Sequence, residues 1–493
     1  MEFKDKLQQL GQGHLLRFWE RLNDSQKSVY QEQLSSLNFD DVTQAFEQSR
    51  RSTITENFQS SQLRAVDNTN HGVAGNATTD DKYREIGMRA IAEGQVGVIL
   101  LAGGQGTRLG VKCPKGMYDI GLPSKKTLFQ LQAERITRLQ QLASKQYPTK
   151  SCVIRWYIMT SDATYEQTRE FFVHHKHFGL SVDQIVFFEQ GVMPCFYPDG
   201  KIILETAGKI AVAPDGNGGL YRGLAKYGII ADMSTHNIRY LHVYCVDNAL
   251  VKVADPVFIG FCIDKKADCG NKVLEKVDPT EPVGVTCVHE GVGPTVVEYS
   301  EIPKEVAEMK STDGKKLQFR AANIVNHFFT TEFLQHVVID KERELVHHVA
   351  HKKIPCYDLT AESHCKPDTP NGIKLEKFVF DVFRFSNNFV IWEVDRSSEF
   401  SPLKNADSAG KDCPTTCRND LFRLHCDYVK RAGGKIAGES GDEQVPAIEI
   451  SPLLSYAGED LDSIVSGVTY QPPVEITPAC DISHSKDHHL KTK

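Results

Sequence analysis

Residues 99–116 read ILLAGGQGTRLGVKCPKG. The apolar run 96–101 predicts a buried β-strand, and it ends at the glycines of a loop that also carries Arg108 and Lys115. A strand that enters a glycine-rich turn before a helix is a common arrangement for phosphate, because glycine lets backbone N–H groups approach an anion closely. The stretch therefore predicts a phosphate-binding loop at the open end of a strand in an α/β sheet.

Spacing excludes two common versions of such a loop. A Walker loop needs GxxxxGK followed by Ser or Thr, and no such pair follows the glycines here. A dinucleotide loop needs GxGxxG, whereas Gly104–Gly110 gives GxGxxxG. The loop instead supplies a planar guanidinium and a compact ammonium, which together can neutralise a polyphosphate. The competing hypothesis is a glycine-rich turn with surface cations.

The stretches that follow alternate between strand-like and helix-like patterns. Strands are predicted at 153–160, 184–188 and 241–246, and the segment 124–143 shows apolar residues on one helical face. Such alternation predicts right-handed βαβ units and a mainly parallel sheet. Ligands bind outside the carboxyl ends of such strands, so the polar residues that follow each strand should converge on one crevice.

The predicted fold class is α/β, with a Rossmann-like central domain flanked by two small modules. Residues 1–80 are predicted to form a helical N-terminal module, with a helix cap within Asn23, Asp24 and Ser25, and a polar linker from about residue 50. Residues 81–405 are predicted to form the central domain. Residues 406–493 form a small C-terminal domain with a polar tail.

Composition narrows the class of protein. The chain has 493 residues, of which 40% are hydrophobic and 25% charged, as in soluble globular proteins. The formal net charge of −7 gives no basic footprint for nucleic acid, and no apolar run is long enough to span a membrane. Thirteen cysteines, an odd number scattered through apparent strands, favour reduced thiols and a cytoplasmic location.

Two further stretches carry candidate binding residues. In APDGNGGLYRGL (213–224), the glycines would allow backbone to lie flat against a ring, and Asn217 could read a polar edge. Asp247 follows an apolar strand at a position suited to a Mg²⁺ ligand, since Mg²⁺ is usually held by one or two carboxylates together with phosphates and water. The alternative for Asp247 is a helix cap, because a helix-like segment follows it.

Taken together, these motifs resemble those of the eukaryotic UDP-N-acetylhexosamine pyrophosphorylases. The resemblance runs in order from about residue 10 to residue 470 and includes LLAGGQGTRLG, APDGNGGLYRGL, HVYCVDN, EPVGV, VVEYSE, NHFF, NGIKLEKFVFD and SPLKNAD. It implies transfer of a uridylyl group from UTP to N-acetylglucosamine 1-phosphate, with in-line attack at the α-phosphorus and release of pyrophosphate. N-acetylgalactosamine 1-phosphate is a second possible substrate. The alternatives are a UDP-glucose or UDP-sugar pyrophosphorylase and a non-catalytic UDP-sugar-binding protein.

The resemblance implies that residues 81–405 are a Rossmann-like nucleotidyltransferase domain that binds UTP and sugar phosphate. It also implies roles for individual residues and for partners. The UTP-binding set is Leu101, Ala102, Gly103, Gly104, Lys115, Gln190, Gly216, Asp247 and Lys374. The sugar-binding set is Asn217, Gly284, Glu298, Tyr299, Asn323, Phe378, Phe380 and Lys404. Catalysis is assigned to Arg108, Lys115 and Lys404, and Mg²⁺ (or Mn²⁺) to Asp247. Phe378 and Phe380 are expected on one face of a strand, and the protein is expected to be a monomer or a homodimer.

Overall fold

The computed structural model describes residues 2–55, 62–438 and 445–478. Its α-helices are α1 (Glu2–Gln9), α2 (Asp24–Ser35), α3 (Phe39–Thr55), α4 (Ala77–Ala92), α5 (Leu128–Gln146), α6 (Tyr165–His174), α7 (Leu220–Lys226), α8 (Ile229–Thr235), α9 (Pro256–Asp264), α10 (Lys304–Ala307), α11 (Thr331–His336), α12 (Arg396–Glu399), α13 (Pro414–Arg431) and α14 (Asp462–Val465). Its strands are β1 (Leu63–Arg64), β2 (His71–Val73), β3 (Val96–Leu101), β4 (Arg155–Thr160), β5 (Ile185–Glu189), β6 (Val192–Pro194), β7 (Leu204–Thr206), β8 (Lys209–Ile210), β9 (Val212–Pro214), β10 (Tyr240–Cys245), β11 (Cys269–Glu275), β12 (Val285–His289), β13 (Gly293–Val297), β14 (Ala321–Thr330), β15 (His348–Lys352), β16 (Cys356–Asp358), β17 (Ser363–Cys365), β18 (Gly372–Glu376), β19 (Phe389–Val394), β20 (Lys435–Ile436), β21 (Ile448–Ile450), β22 (Thr469–Tyr470) and β23 (Val474–Ile476).

The chain divides into two compact units, each assembled from separate stretches of sequence. The N-terminal unit consists of Met1–Gln59, Gln190–Lys226 and Val337–Val382. The sheet unit consists of Ser60–Glu189, Tyr227–His336 and Phe383–Lys493. This division differs from the three consecutive segments 1–80, 81–405 and 406–493, which stay a prediction of domain boundaries.

The sheet unit is built on one large sheet with strand order β2-β19-β11-β14-β10-β3-β4-β5. All neighbours along this path are parallel except at β14, which runs antiparallel to both β10 and β11. Strands β3 and β4 are buried at every residue, as expected for a parallel sheet covered on both faces. The predicted α/β class with a mainly parallel sheet is confirmed.

The N-terminal unit has its own apolar core. Helices α1 to α3 contribute Leu7, Tyr30, Phe46 and other residues that pack against side chains from β7, β8 and β18, among them Leu204 and Leu375. Helix α2 begins as predicted, because Asn23 accepts a hydrogen bond from the Gln26 N–H in a capping box. The N-terminal helices therefore complete the core of a unit whose strands come from the middle of the chain.

The stretch predicted to be a polar linker from about residue 50 is more ordered than its composition indicates. Helix α3 continues to Thr55, and β1 and β2 follow within the described residues. Strand β2 pairs with β19 at the edge of the large sheet. Edge pairing uses backbone groups and needs no side-chain periodicity, so the sequence pattern did not reveal it.

Of the helices that the structure describes, none is both long enough and apolar enough to cross a membrane.

Candidate functional site

The carboxyl ends of β3 and β10 lie side by side. These strands are parallel neighbours, and Leu101 at the end of β3 is opposite Cys245 at the end of β10. The glycine loop leaves β3 and the turn with Asp247 leaves β10, so the two predicted features emerge at one edge of the sheet. This is the position at which open α/β sheets bind their ligands.

The glycine loop is folded back on itself by backbone hydrogen bonds. The Lys115 N–H donates to Gly104 O over 3.2 Å, and the Gly106 N–H donates to Cys113 O over 3.1 Å. The Ser161 hydroxyl, which follows β4, donates to Gly103 O over 2.9 Å. Lys115 is thereby fixed beside the start of the loop, while the Arg108 side chain stays exposed.

Lys115 and Asp247 form an ion pair. The distance from Lys115 Nζ to Asp247 Oδ2 is 3.4 Å, and both side chains are largely shielded from solvent. The helix-cap alternative for Asp247 is wrong, because the next helix is α9 and its N-cap is Asp255, whose side chain accepts from the Val257 N–H. Asp247 lies in the turn directly after β10, where its carboxylate pairs with Lys115.

The segment that carries Lys404 is attached to both of these features. The Leu403 N–H donates to Asp247 O over 2.8 Å, and the Ala406 N–H donates to Arg108 O over 3.1 Å. Cys245 lies close to these charged residues. Burial raises the pKa of its thiol, and the negative charge of Asp247 raises that pKa further. The positive charges of Lys115 and Lys404 act in the opposite direction. The structure therefore brings Arg108, Lys115, Asp247 and Lys404 together.

Asn248 holds this arrangement, a role that the sequence analysis did not assign. Its side chain is buried, and Nδ2 donates to Glu399 O over 2.8 Å. Its Oδ1 accepts from the Ser401 N–H over 2.9 Å and from the Leu250 N–H over 3.2 Å. A buried amide that joins two loops next to a predicted ligand residue is a signal that only the three-dimensional contacts reveal.

Three of the predicted sugar-binding residues also meet in the sheet unit. The Asn323 N–H donates to Gly284 O over 2.9 Å. A Cβ atom at Gly284 would lie 2.8 Å from Glu298 Oε1, so the carboxylate occupies the space that a side chain would need. The neighbouring Tyr299 is 54% exposed and does not pack into this cluster.

A bulge in β14 sets the orientation of Asn323. The register between β11 and β14 shifts between Asn271 and Val273, and Val325 adopts a left-handed backbone with φ of 51°. Such a conformation is costly for a β-branched residue, and the Asn323 side chain supports it by accepting from the Val325 N–H over 3.2 Å. Backbone strain of this kind is concentrated at functional sites.

The other six predicted site residues lie in the N-terminal unit. Gly216 has a φ of +86° and begins a tight turn in which Asn217 Oδ1 accepts from the Val379 N–H over 3.0 Å. Lys374 lies in β18, opposite Ala350, and Gln190 lies two residues before β6. The turn is therefore hydrogen-bonded to the chain segment that follows β18.

The strand predicted for Phe378 and Phe380 is wrong. Strand β18 ends at Glu376, and Val379–Phe385 form a 3₁₀ helix. The Phe378 N–H donates to Asp381 Oδ2 over 2.7 Å, which starts the helical turn. The two rings nevertheless stay close, with centroids 5.1 Å apart, and Phe380 is buried.

The fold and this edge of the sheet define an α/β protein of the nucleotide-binding type. Comparison with known proteins identifies the family. A family model described as UTP--glucose-1-phosphate uridylyltransferase matches residues 39–457, most of the chain. The chain therefore belongs to the UTP--glucose-1-phosphate uridylyltransferase family.

Individual relatives extend this similarity over nearly the whole chain. The UDP-N-acetylhexosamine pyrophosphorylase-like protein 1 of Xenopus tropicalis is 49% identical over 479 residues, covering 93% of this chain and 92% of the relative. The UDP-N-acetylglucosamine pyrophosphorylase of Saccharomyces cerevisiae is 44% identical over 390 residues, covering 78% and 79%. The crystal structure of the uridine diphosphate N-acetylglucosamine pyrophosphorylase from Trypanosoma brucei matches with a TM-score of 0.82 and 28% identity, covering 97% of this chain and 98% of that one. These matches confirm the predicted family resemblance.

Proposed function

We infer that this protein is a uridylyltransferase that joins UTP and N-acetylglucosamine 1-phosphate to give UDP-N-acetylglucosamine and pyrophosphate. The names of the similar proteins and the family match support this reaction. The structural observation that carries it is the 3.4 Å pair of Lys115 and Asp247 at the adjacent ends of β3 and β10. A cation and a carboxylate are the groups that a triphosphate and its counter-ion would use, so this pair supports the proposal.

The chemistry needs positioning and charge neutralisation more than proton transfer. The sugar phosphate is already an anionic nucleophile at neutral pH, so no general base is required. In-line attack at the α-phosphorus brings two polyanions together and leaves new charge on the departing pyrophosphate. Arg108, Lys115 and Lys404 supply positive charge around that group, and this electrostatic stabilisation is the main catalytic contribution we assign to the protein.

Asp247 is the residue that would hold Mg²⁺ or Mn²⁺. A single carboxylate beside a phosphate-binding loop fits Mg²⁺, which commonly takes one or two carboxylates and completes its shell with phosphates and water. Within the described ranges, no group of three or more His, Cys, Asp or Glu side chains could form an all-protein metal site, which agrees with binding shared between Asp247 and the nucleotide. When bound, the cation would supply further neutralisation of the phosphates.

The sugar pocket is proposed at the cluster of Gly284, Glu298 and Asn323. The carboxylate of Glu298 can accept from sugar hydroxyls, and the Asn323 amide can donate to a carbonyl such as that of an N-acetyl group. Phe378 and Phe380, in the N-terminal unit, stay a separate prediction of contact with the sugar. N-acetylgalactosamine 1-phosphate is proposed as a second substrate, because it differs only in the orientation of one hydroxyl.

A pyrophosphate-release assay tests the proposed function. Purified protein is incubated with UTP, Mg²⁺ and N-acetylglucosamine 1-phosphate, N-acetylgalactosamine 1-phosphate or glucose 1-phosphate in turn. We expect the highest kcat/KM with an N-acetyl sugar. A higher kcat/KM with glucose 1-phosphate would favour a UDP-glucose pyrophosphorylase, and tight UDP-sugar binding without any pyrophosphate release would favour a non-catalytic binding protein.

We further propose that the protein acts in the cytoplasm as a monomer or homodimer. Most of the twelve cysteines within the described part of the chain are buried, which agrees with a reducing compartment. Light scattering of the purified protein gives the oligomeric state, and microscopy of a tagged chain gives the location. Trapping of the tag in a secretory or other membrane-enclosed compartment would contradict the cytoplasmic proposal.

A further inference from the structure

The turn that carries Gly216 and Asn217 is bound to the backbone of Lys377. The Lys377 N–H donates to Asp215 O over 2.8 Å, and Lys377 O accepts from the Gly218 N–H over the same distance. Both hydrogen-bonding groups of one residue are therefore used by this turn. Any displacement of the Lys377 backbone would be transmitted directly to it.

The contact is close enough to require glycine on the turn. A Cβ atom at Gly216 would overlap Lys377 O, and one at Gly218 would lie 2.6 Å from the Lys377 carbonyl carbon. The two backbones thus touch without intervening side chains. Because close packing of this kind leaves little free space, the position of residue 377 fixes the position of the turn.

The Lys377 side chain is anchored on the other side by Glu342. Its side chain is only 2% exposed, and Nζ lies 2.7 Å from Glu342 Oε1 and 3.1 Å from Glu342 O. Arg222 shares the same carboxylate, with Nε 2.6 Å from Oε1. Burial would raise the pKa of Glu342, but Lys377 and Arg222 outweigh it and hold that pKa below its ordinary value.

The turn also encloses a buried carboxylate. Asp215 is 1% exposed, and its Oδ1 has no hydrogen-bond partner among the residues described. Cβ atoms at Gly191 or Gly219 would overlap its oxygens, so glycines flank it on both sides. Burial raises the pKa of Asp215 to about 6, while Arg222 and Lys377 lower it. Positive charge from Lys377 therefore also stabilises the carboxylate at the base of the turn.

Burial of such an ion cluster adds little net stability, because desolvation of the charges offsets much of their attraction. A cluster of this kind does fix geometry, since each partner accepts only a narrow range of positions. We propose that Lys377, held by Glu342, is a positioning residue that fixes the Gly216–Gly219 turn in the conformation that binds the uridine part of UTP. This proposal rests on the proposed function, which assigns Gly216 to UTP.

The test compares Lys377→Met with Lys209→Met. Methionine keeps the length of the buried side chain but removes its charge and its hydrogen bonds to Glu342. Lys209 forms an exposed pair with Glu205 at 2.8 Å in the same unit, so its loss controls for removal of a lysine charge. The measurements are kcat, the KM values of both substrates, the Kd of UDP by titration calorimetry, and the Tm.

For Lys377→Met we expect the KM of UTP and the Kd of UDP to rise about 10-fold, the size of effect expected for loss of one charged hydrogen bond. The KM of the sugar phosphate should rise less than the KM of UTP, because Asn217 is the one residue of the turn assigned to the sugar, and kcat should change less than about 3-fold. The Lys209→Met control should match the wild type. A lower Tm with unchanged UTP and UDP parameters would overturn the proposal, because it would show a purely structural role.

If Lys377→Met does not fold, Glu342→Gln provides the same test. Glutamine keeps an acceptor oxygen for Lys377 and Arg222 but removes the negative charge, so a smaller increase in the Kd of UDP, about 3-fold, is expected. An unchanged Kd would overturn the proposal. Failure of the proposed function is distinguished by the wild type: it would release no pyrophosphate, whereas the UDP titrations would still test the role of Lys377.

Discussion

Lys115 Nζ and Asp247 Oδ2 lie 3.4 Å apart, so the carboxylate proposed to hold Mg²⁺ is paired with the lysine proposed to bind phosphate. The pair neutralises both charges while the nucleotide is absent. Under the proposed function, the phosphates of UTP would replace Asp247 as the partner of Lys115, and a cation would replace Lys115 as the partner of Asp247. Each member of the ion pair would then have a new partner in the substrate complex.

Asp247→Asn should remove the contribution of Asp247 to Mg²⁺ binding and so change how the reaction rate depends on Mg²⁺ concentration. Asparagine keeps the shape of the side chain but loses the charge, so kcat should fall about 100-fold or more. The measurement is the rate of pyrophosphate release over a range of Mg²⁺ concentrations. A variant that retains both the wild-type rate and the wild-type Mg²⁺ response would exclude Asp247 as the ligand.

Arg108→Ala should lower kcat about 100-fold without loss of stability. Its side chain is exposed in the glycine loop, so its removal leaves no cavity and no buried partner. Lys112→Ala removes another exposed cation of the same loop and should leave kcat within about 3-fold of wild type. Equal effects of the two substitutions would show a general effect of loop charge and contradict a specific role for Arg108.

The sequence predicted the parts of the site that depend on local pattern. The apolar run 96–101 coincides with β3, and the asparagine cap of α2 lies where its residue type indicated. Asn248, Glu342 and Lys377 were not found, because each has partners far away in the chain: Ser401 is 153 residues from Asn248, and Lys377 is 35 residues from Glu342. The alternation of the two aromatic residues in FVFD predicted a strand. The same alternation occurs in a short helical turn that begins just after a strand, so the pattern could not distinguish the two.

Asn248→Ala should reduce both stability and turnover. The substitution removes three buried hydrogen bonds and leaves the Ser401 N–H and Glu399 O without that partner, which should cost about 2–4 kcal/mol of unfolding free energy. It also detaches the Lys404 segment from the Asp247 turn, so kcat should fall. Asn248→Asp keeps the acceptor but buries a negative charge and places a carboxylate oxygen against Glu399 O, so it should destabilise the protein at least as much as Asn248→Ala. Loss of stability with unchanged kcat of the folded enzyme would separate Asn248 from catalysis.

Gly284→Ala should affect the sugar phosphate selectively. The added Cβ would lie 2.8 Å from both Glu298 Oε1 and Val296 Cγ1, so the carboxylate must move. We expect the KM of N-acetylglucosamine 1-phosphate to rise about 10-fold, with the KM of UTP unchanged. Glu298→Gln, which keeps the size of the side chain, should raise the same KM. An increase in the KM of UTP alone would place this cluster at the nucleotide instead.

Two fully buried histidines should make the protein sensitive to acid. His242 lies in β10 and His327 in β14, and burial lowers their pKa values from 6.5 to about 4 and about 3. His242 Nδ1 accepts from the Ala254 N–H, so a proton added there would break this hydrogen bond. The folded state therefore favours the neutral rings.

Because these pKa values are lower in the folded state, the stability they contribute is fully present above about pH 6.5. As the pH falls below that value, the unfolded chain takes up protons that the folded chain cannot accept until about pH 4 and 3. Each histidine should thus remove about 1.4 kcal/mol of unfolding free energy per pH unit across this window. Urea unfolding at several pH values between 7 and 4.5 measures the slope. His327→Leu should reduce the slope by the contribution of one proton, whereas His174→Ala, at an exposed position of α6, should leave it unchanged. A His327→Leu slope equal to that of the wild type would show that this ring is not kept neutral by burial.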